Sequence, residues 1–335
     1  MKDKTLLEKL KKLAEKEISL SVLCKELNLN TYEILCLVSE LKKEGINIAT
    51  RKLDDDIYLF NRGEGEIKEE NNYSFNTDNN NTNNHNEFKF VAISDTRFGS
   101  KSQQLSILND IYSKAYEMGY MNVIHCGNIT EGLYPTSNIS YNDDPNFLDD
   151  TLRQVDYIIK YYPHIEGIQT YFLTGYKDEI HLTKNRINIG KRICDSRSDM
   201  IYLGHTSCNV KIDKGSMLIF NPKLSKTYTV SYRPQQQIDS FRSEDKPDIL
   251  LYGGLLQMEK LPHRNVTCIS VPSVCATTKE MNDKRYSNTV GAWYITIKTN
   301  EKGLIEKIDA IDSVYYKTNK DDYLKPKVLK LKKEN

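Results

Sequence analysis

The sequence predicts an α/β protein: a two-sheet α/β sandwich preceded by a small winged helix-turn-helix domain. Three observations predict it. From residue 88 to residue 174, apolar runs of strand length alternate with amphipathic helical stretches. From residue 200 onward strand-like runs dominate, which favours two sheets over one doubly wound sheet. Residues 1–62 hold three helix-length segments followed by two strand-like pieces, and the polar, low-complexity residues 63–87 separate them from the rest.

The segments follow in order. Residues 3–16 place Leu6, Leu7, Leu10, Leu13 and Ala14 on one helical face. Ser19 is placed to cap a second helix that buries Leu20, Leu23 and Leu27. Asn30 is placed to cap a third, Thr31–Glu44, with Ile34, Leu35, Val38 and Leu41 on its apolar face and Gly45 as its C-cap. INIATRK and IYLF then make a hairpin around residues 53–56. The helix-turn-helix spacing makes Thr31–Glu44 a recognition helix, with Thr31, Tyr32, Lys42, Lys43, Arg51 and Lys52 as the DNA-contacting set. That basic set is thin, and Glu33 and Glu40 share the helix.

Residues 63–87 read as a disordered Asn-rich linker with a solvated His85. The domain at 88–312 starts with strand 88–94, a helix near 102–118, strand Met121–Cys126, a helix near 147–161 and strand Ile168–Thr174. Shorter runs follow at Met200–Leu203, Val210–Ile212, Met217–Phe220, Tyr228–Tyr232, Ile249–Tyr252, Val266–Val271, Trp293–Thr299 and Ile305–Ile311. Residues 313–335, with Lys325, Lys327, Lys330, Lys332 and Lys333, read as a frayed basic tail.

Composition narrows the function classes. A chain of 335 residues is long enough for two cores. A net charge of +1 gives no bulk attraction to nucleic acid. Seven scattered cysteines without a CxxC pair suggest neither a zinc knuckle nor a disulfide framework, which fits a reducing, cytoplasmic setting. No signal peptide or membrane-length apolar run is expected, hence no membrane partner. His125 reads as a core residue, and His164 and His181 as surface residues. Ser94 and Ser100 have no recognisable base, Cys126 reads as buried, and Gly127–Gly132 is not a P-loop.

The chemistry concentrates at strand ends. Phe88–Ser100 is an apolar strand breaking into Ser94-Asp95-Thr96-Arg97, where an open α/β sheet carries its site. SDTRFGS, CGNITEG, TGYKDE and LLYGGLLQ follow one another at successive strand ends. Their order and spacing resemble the calcineurin-like metallophosphoesterases over roughly residues 88–312. VSYRPQQQIDSF, PDILLY and PSVCATT look closest to the phage-type branch, which also carries an N-terminal winged helix. The resemblance implies a site of two divalent metals, each held by several Asp, His or Asn ligands. Asp95 matches the first ligand. Arg97 stands where the family has His, and Asn128 where it has the bridging Asp. Tyr176 and Lys177 replace Asn and His, Asn221 a lone His, and Gly254 and Leu256 the last two His. Arginine has no acceptor atom, and Gly254 and Leu256 offer no side-chain donor to a metal.

The resemblance therefore implies a degenerate fold with no catalytic residue, no metal and no cofactor. The expectation is that Arg97 and Lys177 fill the metals' space and pair with Asp95 and Asp178, either as structural ion pairs or as a phosphate-binding pocket with Arg97 as fork. The implied function is a DNA-binding protein with an inactive scaffold domain. It would serve replication, maintenance or transcription control of a phage, plasmid or other mobile element. Its partners would be double-stranded DNA and either a second copy or another protein. Two alternatives stand beside it: a metal-dependent phosphodiesterase or nuclease at Asp95, Asn128 and Asp178, and an interaction scaffold whose winged helix docks a partner.

Overall fold

The computed structural model describes residues 2–14, 18–43, 46–53, 56–64, 72–75, 86–133, 146–223, 229, 231–320, 322–327 and 329. The chain divides into two compact units, Met1–Glu70 and Asn71–Asn335.

The first unit runs α1 (Lys2–Leu13), β1 (Ile18–Ser19), α2 (Leu20–Leu27), α3 (Thr31–Lys43), β2 (Ile46–Leu53) and β3 (Asp56–Glu64). Its antiparallel sheet has the order β1-β3-β2. Ser19 Oγ accepts from Val22 N at 3.3 Å and starts α2. Asn28 ends it with left-handed backbone at φ 53°. Asn30 and Glu33 form a reciprocal cap on α3: Glu33 N donates to Asn30 Oδ1 at 2.9 Å and Asn30 N to Glu33 Oε2 at 2.8 Å. Leu7, Leu10, Leu23, Ile34, Val38, Leu41 and Leu59 make the core. Leu35 departs from expectation, being 43% exposed, and Leu37 points inward instead. At 3.6 residues per turn Leu35 falls outside the stripe set by Ile34, Val38 and Leu41. Gly45 lies outside the described residues.

The second unit stacks two six-stranded sheets. One has the order β15-β14-β5-β6-β7-β8. Its parallel centre is β5 (Asn86–Ile93), β6 (Asn122–His125), β7 (Gln169–Thr174) and β8 (Met200–His205), with β14 (Gly291–Thr299) and β15 (Ile305–Val314) antiparallel at one edge. The other has the order β12-β13-β11-β10-β9-β4: β4 (Asn72–Phe75), β9 (Ser207–Ile212), β10 (Gly215–Phe220), β11 (Ile249–Tyr252), β12 (Glu259–His263) and β13 (Val266–Ser270). Phe90, Ile124 and Leu173 from the first sheet interleave with Ile219, Leu251 and Ile269 from the second in the inner core. The outer face of the first sheet is covered by α4 (Leu105–Glu117), α5 (Thr151–Tyr161) and α7 (Ile189–Ser196), which follows α6 (Glu179–Asn185). The second sheet is covered by α8 (Tyr232–Asp239), and a short α9 (Lys279–Asp283) follows later. This is the two-sheet α/β sandwich that the pattern predicts.

Three boundaries change. Residues 72–75, expected as linker, form β4 beside β9, because Phe75 buries its ring against Phe88 and Tyr171 at 4.4 and 4.6 Å between centroids. His85 lies outside the described residues. Tyr232, expected to end a strand, begins α8; Pro234 fits the first turn, where no helical hydrogen bond is lost. Described residues of the tail are docked, up to Leu329. Tyr315 OH donates to Asp110, Asn319 and Gln104 exchange two hydrogen bonds at 2.7 and 2.9 Å, Tyr323 stacks on Phe147, and Leu329 packs on the core. Lys325 and Lys327 are exposed there, and Lys330, Lys332 and Lys333 lie outside the described residues.

Candidate functional site

The ends of β5, β6, β7, β10 and β11 bring the degenerate positions together at one end of the sandwich. The loop after β5 is pinned to the loop after β6: Asp95 N donates to Gly127 O at 3.0 Å and Arg97 N to Asn128 O at 3.3 Å. Asp95, Arg97, Asn128 and Leu256 all hold left-handed backbone, with φ from 48° to 61°. That conformation costs a non-glycine residue roughly 1–2 kcal/mol, so the surrounding contacts must over-determine it.

The contacts are ionic. Asp95 Oδ1 accepts from Arg97 Nε and Nη2, both at 3.4 Å, and from Asn128 Nδ2 at 3.0 Å, while Ser94 Oγ donates to Oδ2 at 2.9 Å. Arg97 Nη1 donates to Glu131 Oε2 at 3.4 Å. The other Glu131 oxygen, Oε1, accepts from Lys177 Nζ, which also reaches Glu280 Oε2 on α9 at 3.5 Å. Asp95, Arg97 and Glu131 are all buried. Arg97 and Lys177 together offset the two buried carboxylates where no bulk water does so.

Asp178 does not pair with Lys177, contrary to expectation. Its side chain turns inward and accepts from Gly175 N, Ile129 N, Thr130 N and Thr130 Oγ1 at 2.7–3.1 Å. Burial pushes it up to about 6 despite those four donors. Lys177 projects the other way from the same turn, and its long stem reaches Glu131. Glu131 and Glu280 are the functional residues that sequence reasoning missed. The one available signal was charge balance, since a buried arginine and a half-buried lysine require carboxylates nearby.

His181 also departs from expectation. It is buried, not on the surface, with Nε2 2.9 Å from Thr130 Oγ1 and Nδ1 2.9 Å from Thr151 Oγ1. Thr130 spends its proton on Asp178, so His181 donates from Nε2 and accepts at Nδ1. His125 is buried as expected, between Thr96 Oγ1 and Gly127 N. His164 is exposed. His205 hydrogen-bonds to Thr174.

The remaining positions pack. Asn221 is buried, and its Nδ2 donates to Cys126 O. A Cβ at Gly127 would lie 2.7 Å from Asn221 Nδ2, and one at Gly175 or Gly254 would lie 2.8 or 3.3 Å from its Oδ1. The strand-end glycines thus form a cradle for the amide. Leu256 packs with Cys275 and Met281, and Tyr176 is exposed beneath the Lys223 ammonium, 4.5 Å from its ring centroid.

A two-metal centre does not fit these residues. Asn221 Oδ1 is one buried acceptor without a hydrogen-bond partner. The other acceptors are engaged: Asp95 by Arg97, Ser94 and Asn128, Asn128 Oδ1 by Lys177 N, and Asp178 by four donors. Among the described residues, no group of three or more His, Cys, Asp and Glu side chains is arranged to hold a metal ion. The phosphate-fork expectation fares no better, since Arg97 Nε, Nη1 and Nη2 all donate to carboxylates.

In the first unit, Thr31 and Tyr32 are exposed at the start of α3. Lys42 and Lys43 end that helix, and Arg51 and Lys52 lie on β2; the side chains of all four lie outside the described part. No helix among the described residues is long and apolar enough to cross a membrane.

No family model and no curated protein matches the chain. Solved structures do. An archaeal phosphodiesterase is 13% identical with a TM-score of 0.37, over 67% of this chain and 99% of that one. Vps29 of Entamoeba histolytica, complexed with zinc, is 12% identical at 0.33, over 67% and 98%. A predicted phosphoesterase of Streptococcus pneumoniae TIGR4 is 10% identical at 0.31, over 68% and 98%.

Proposed function

We propose that this chain is a DNA-binding protein whose second unit is a metallophosphoesterase-like scaffold without hydrolytic activity. One observation carries the loss of activity: Glu131 bridges Arg97 and Lys177, which stand at two positions where the resemblance expects metal-ligating histidines. Two-metal hydrolysis needs both ions to clamp a phosphoryl oxygen and activate a water. Here the protein's own ion pairs take up the acceptors such ions would use. The order α1-β1-α2-α3-β2-β3 and the sheet order β1-β3-β2 support a winged helix-turn-helix reading of the first unit. Thr31 and Tyr32 would then meet base edges, and Lys42, Lys43, Arg51 and Lys52 would meet phosphates. Service to a phage, plasmid or other mobile element rests on the resemblance alone.

The test is binding of the full chain to duplex fragments of its own replicon across a salt series. The expected result is one fragment bound with steep salt dependence and lost in Tyr32→Ala/Lys43→Ala. Absence of salt-dependent binding to every fragment rejects the reading. Manganese-dependent cleavage of a generic phosphodiester that Asp95→Ala abolishes would instead install the phosphodiesterase at Asp95, Asn128 and Asp178.

A second reading has its own support. Val22, Tyr32 and Leu35 are exposed apolar residues on α2 and α3, and Glu33 and Glu40 are exposed on α3. Such a surface suits a protein partner better than a phosphate backbone. Binding that survives high salt and is lost in Leu35→Asp would identify it.

A further inference from the structure

We propose that a second copy of this chain docks on β15, continuing the sheet through an antiparallel pair whose two-fold axis passes at Ile308. The inference is independent of what the closed site or the first unit does. Among the described residues β15 has one strand neighbour, β14, and ends the six-stranded order. It is ten residues long, and Leu304, Ile311 and Tyr316 are large exposed apolar residues along and beside it. A long edge with exposed apolar groups is a template for another strand.

The geometry selects the register. Lys307, Asp309 and Ile311 sit opposite Lys298, Thr296 and Tyr294 of β14. A groove of about 500 Å³ lined by Lys298, Lys307, Asp309 and Ile311 opens on that face. The carbonyl of Ile308 points outward, since it accepts from Lys260 Nζ at 2.9 Å. By the two-residue period of a strand, Glu306, Ile308, Ala310 and Asp312 turn their backbone groups to the same side. A two-fold axis normal to the sheet keeps both faces in common, so outward residues must oppose outward residues. With the axis at Ile308, that residue opposes the partner's Ile308 and exchanges both backbone hydrogen bonds. Lys307 then opposes the partner's Asp309, and Asp309 opposes the partner's Lys307. An axis at Lys307 sets lysine against lysine, one at Asp309 sets aspartate against aspartate, and one at Ala310 sets Asp309 against isoleucine. Ile308 alone of these gives unlike charges twice. Lys260 guards the edge in the single chain. Its exposed ammonium gives way to the partner's Ile308 N–H on pairing.

Analytical ultracentrifugation of the full chain over a concentration series tests this, with circular dichroism confirming that each variant is folded. The wild type is expected to show a monomer–dimer equilibrium. Lys307→Asp and Asp309→Lys each place like charges opposite at both ends of the pair and should weaken the dimer about tenfold or more. The double swap Lys307→Asp/Asp309→Lys restores unlike pairs and should return wild-type association. A wild type that stays monomeric at every concentration overturns the proposal. So does a dimer that ignores the single substitutions, or a double variant as weak as the singles.

Discussion

Arg97 donates from Nη1 to Glu131 Oε2 at 3.4 Å, with neither side chain more than 6% exposed. The pair joins the loop after β5 to the loop after β6, and Lys177 on the other Glu131 oxygen adds the loop after β7. Through these two cations the Glu131 carboxylate adds an ionic tie to the hydrogen bonds that already join the three strand ends.

Glu131→Gln keeps the shape and removes the charge that Arg97 and Lys177 share. Stripping one partner from a buried pair costs about 3 kcal/mol or more. Chemical denaturation should show that loss, and Arg97→Met/Glu131→Leu should not recover it, because the buried Asp95 carboxylate then loses its own cation.

Asn128→Asp replaces the amide that donates to Asp95 at 3.0 Å with a second carboxylate. The lost hydrogen bond and the like charge should together cost about 2 kcal/mol in chelator-treated buffer. Thermal melting in the chelator measures this, and a stability equal to wild type would contradict the closed-site account.

Gly175→Ala puts a methyl group on Asn128 Oδ1, 2.6 Å from Asn128 N and 2.8 Å from Asn221 Oδ1. Neither amide has room to move, so the substitution should destabilise by about 1–3 kcal/mol. Gly167→Ala is a poor control because of its φ of 87°, even though nothing lies within 4 Å of a Cβ there. The surface change Leu182→Ala serves better.

Acid should destabilise the protein through its buried histidines. Burial holds His125 down to about 3 and His181 down to about 4, from 6.5. The folded state then binds fewer protons than the unfolded one, so this stability is present above 6.5 and is lost as pH falls. Asp178, raised from 3.8 to about 6, acts in the opposite sense: its folded state retains a proton, and stability falls as pH rises across that window. Two histidines against one aspartate leave stability rising by up to about 1.4 kcal/mol per pH unit between about pH 5 and 6, above the range in which the lowered carboxylates Glu87 and Glu280 titrate. In His125→Gln the remaining two offset each other, so denaturation midpoints measured over that range should be nearly flat.

Much of this was legible from residue order alone. The buried strands at 88–93, 122–125 and 169–174 announce themselves because a parallel strand covered on both faces carries a run of apolar residues such as Phe90–Ile93, Val123–Ile124 and Tyr171–Leu173. That Arg97, Gly254 and Leu256 offer no side-chain ligand to a metal was equally plain, because what a side chain can ligate is a property of its atoms. Residue order did not say which carboxylate Lys177 would meet. Asp178 is its chain neighbour, yet the turn after β7 sends the two side chains apart, and Glu131, far off in sequence, arrives on another strand end. His181 and β4 were misread for the same reason. Whether a polar residue or a short Tyr-Ser-Phe run is buried depends on which distant surface covers it, and only the packing of the two sheets and their helices decides that.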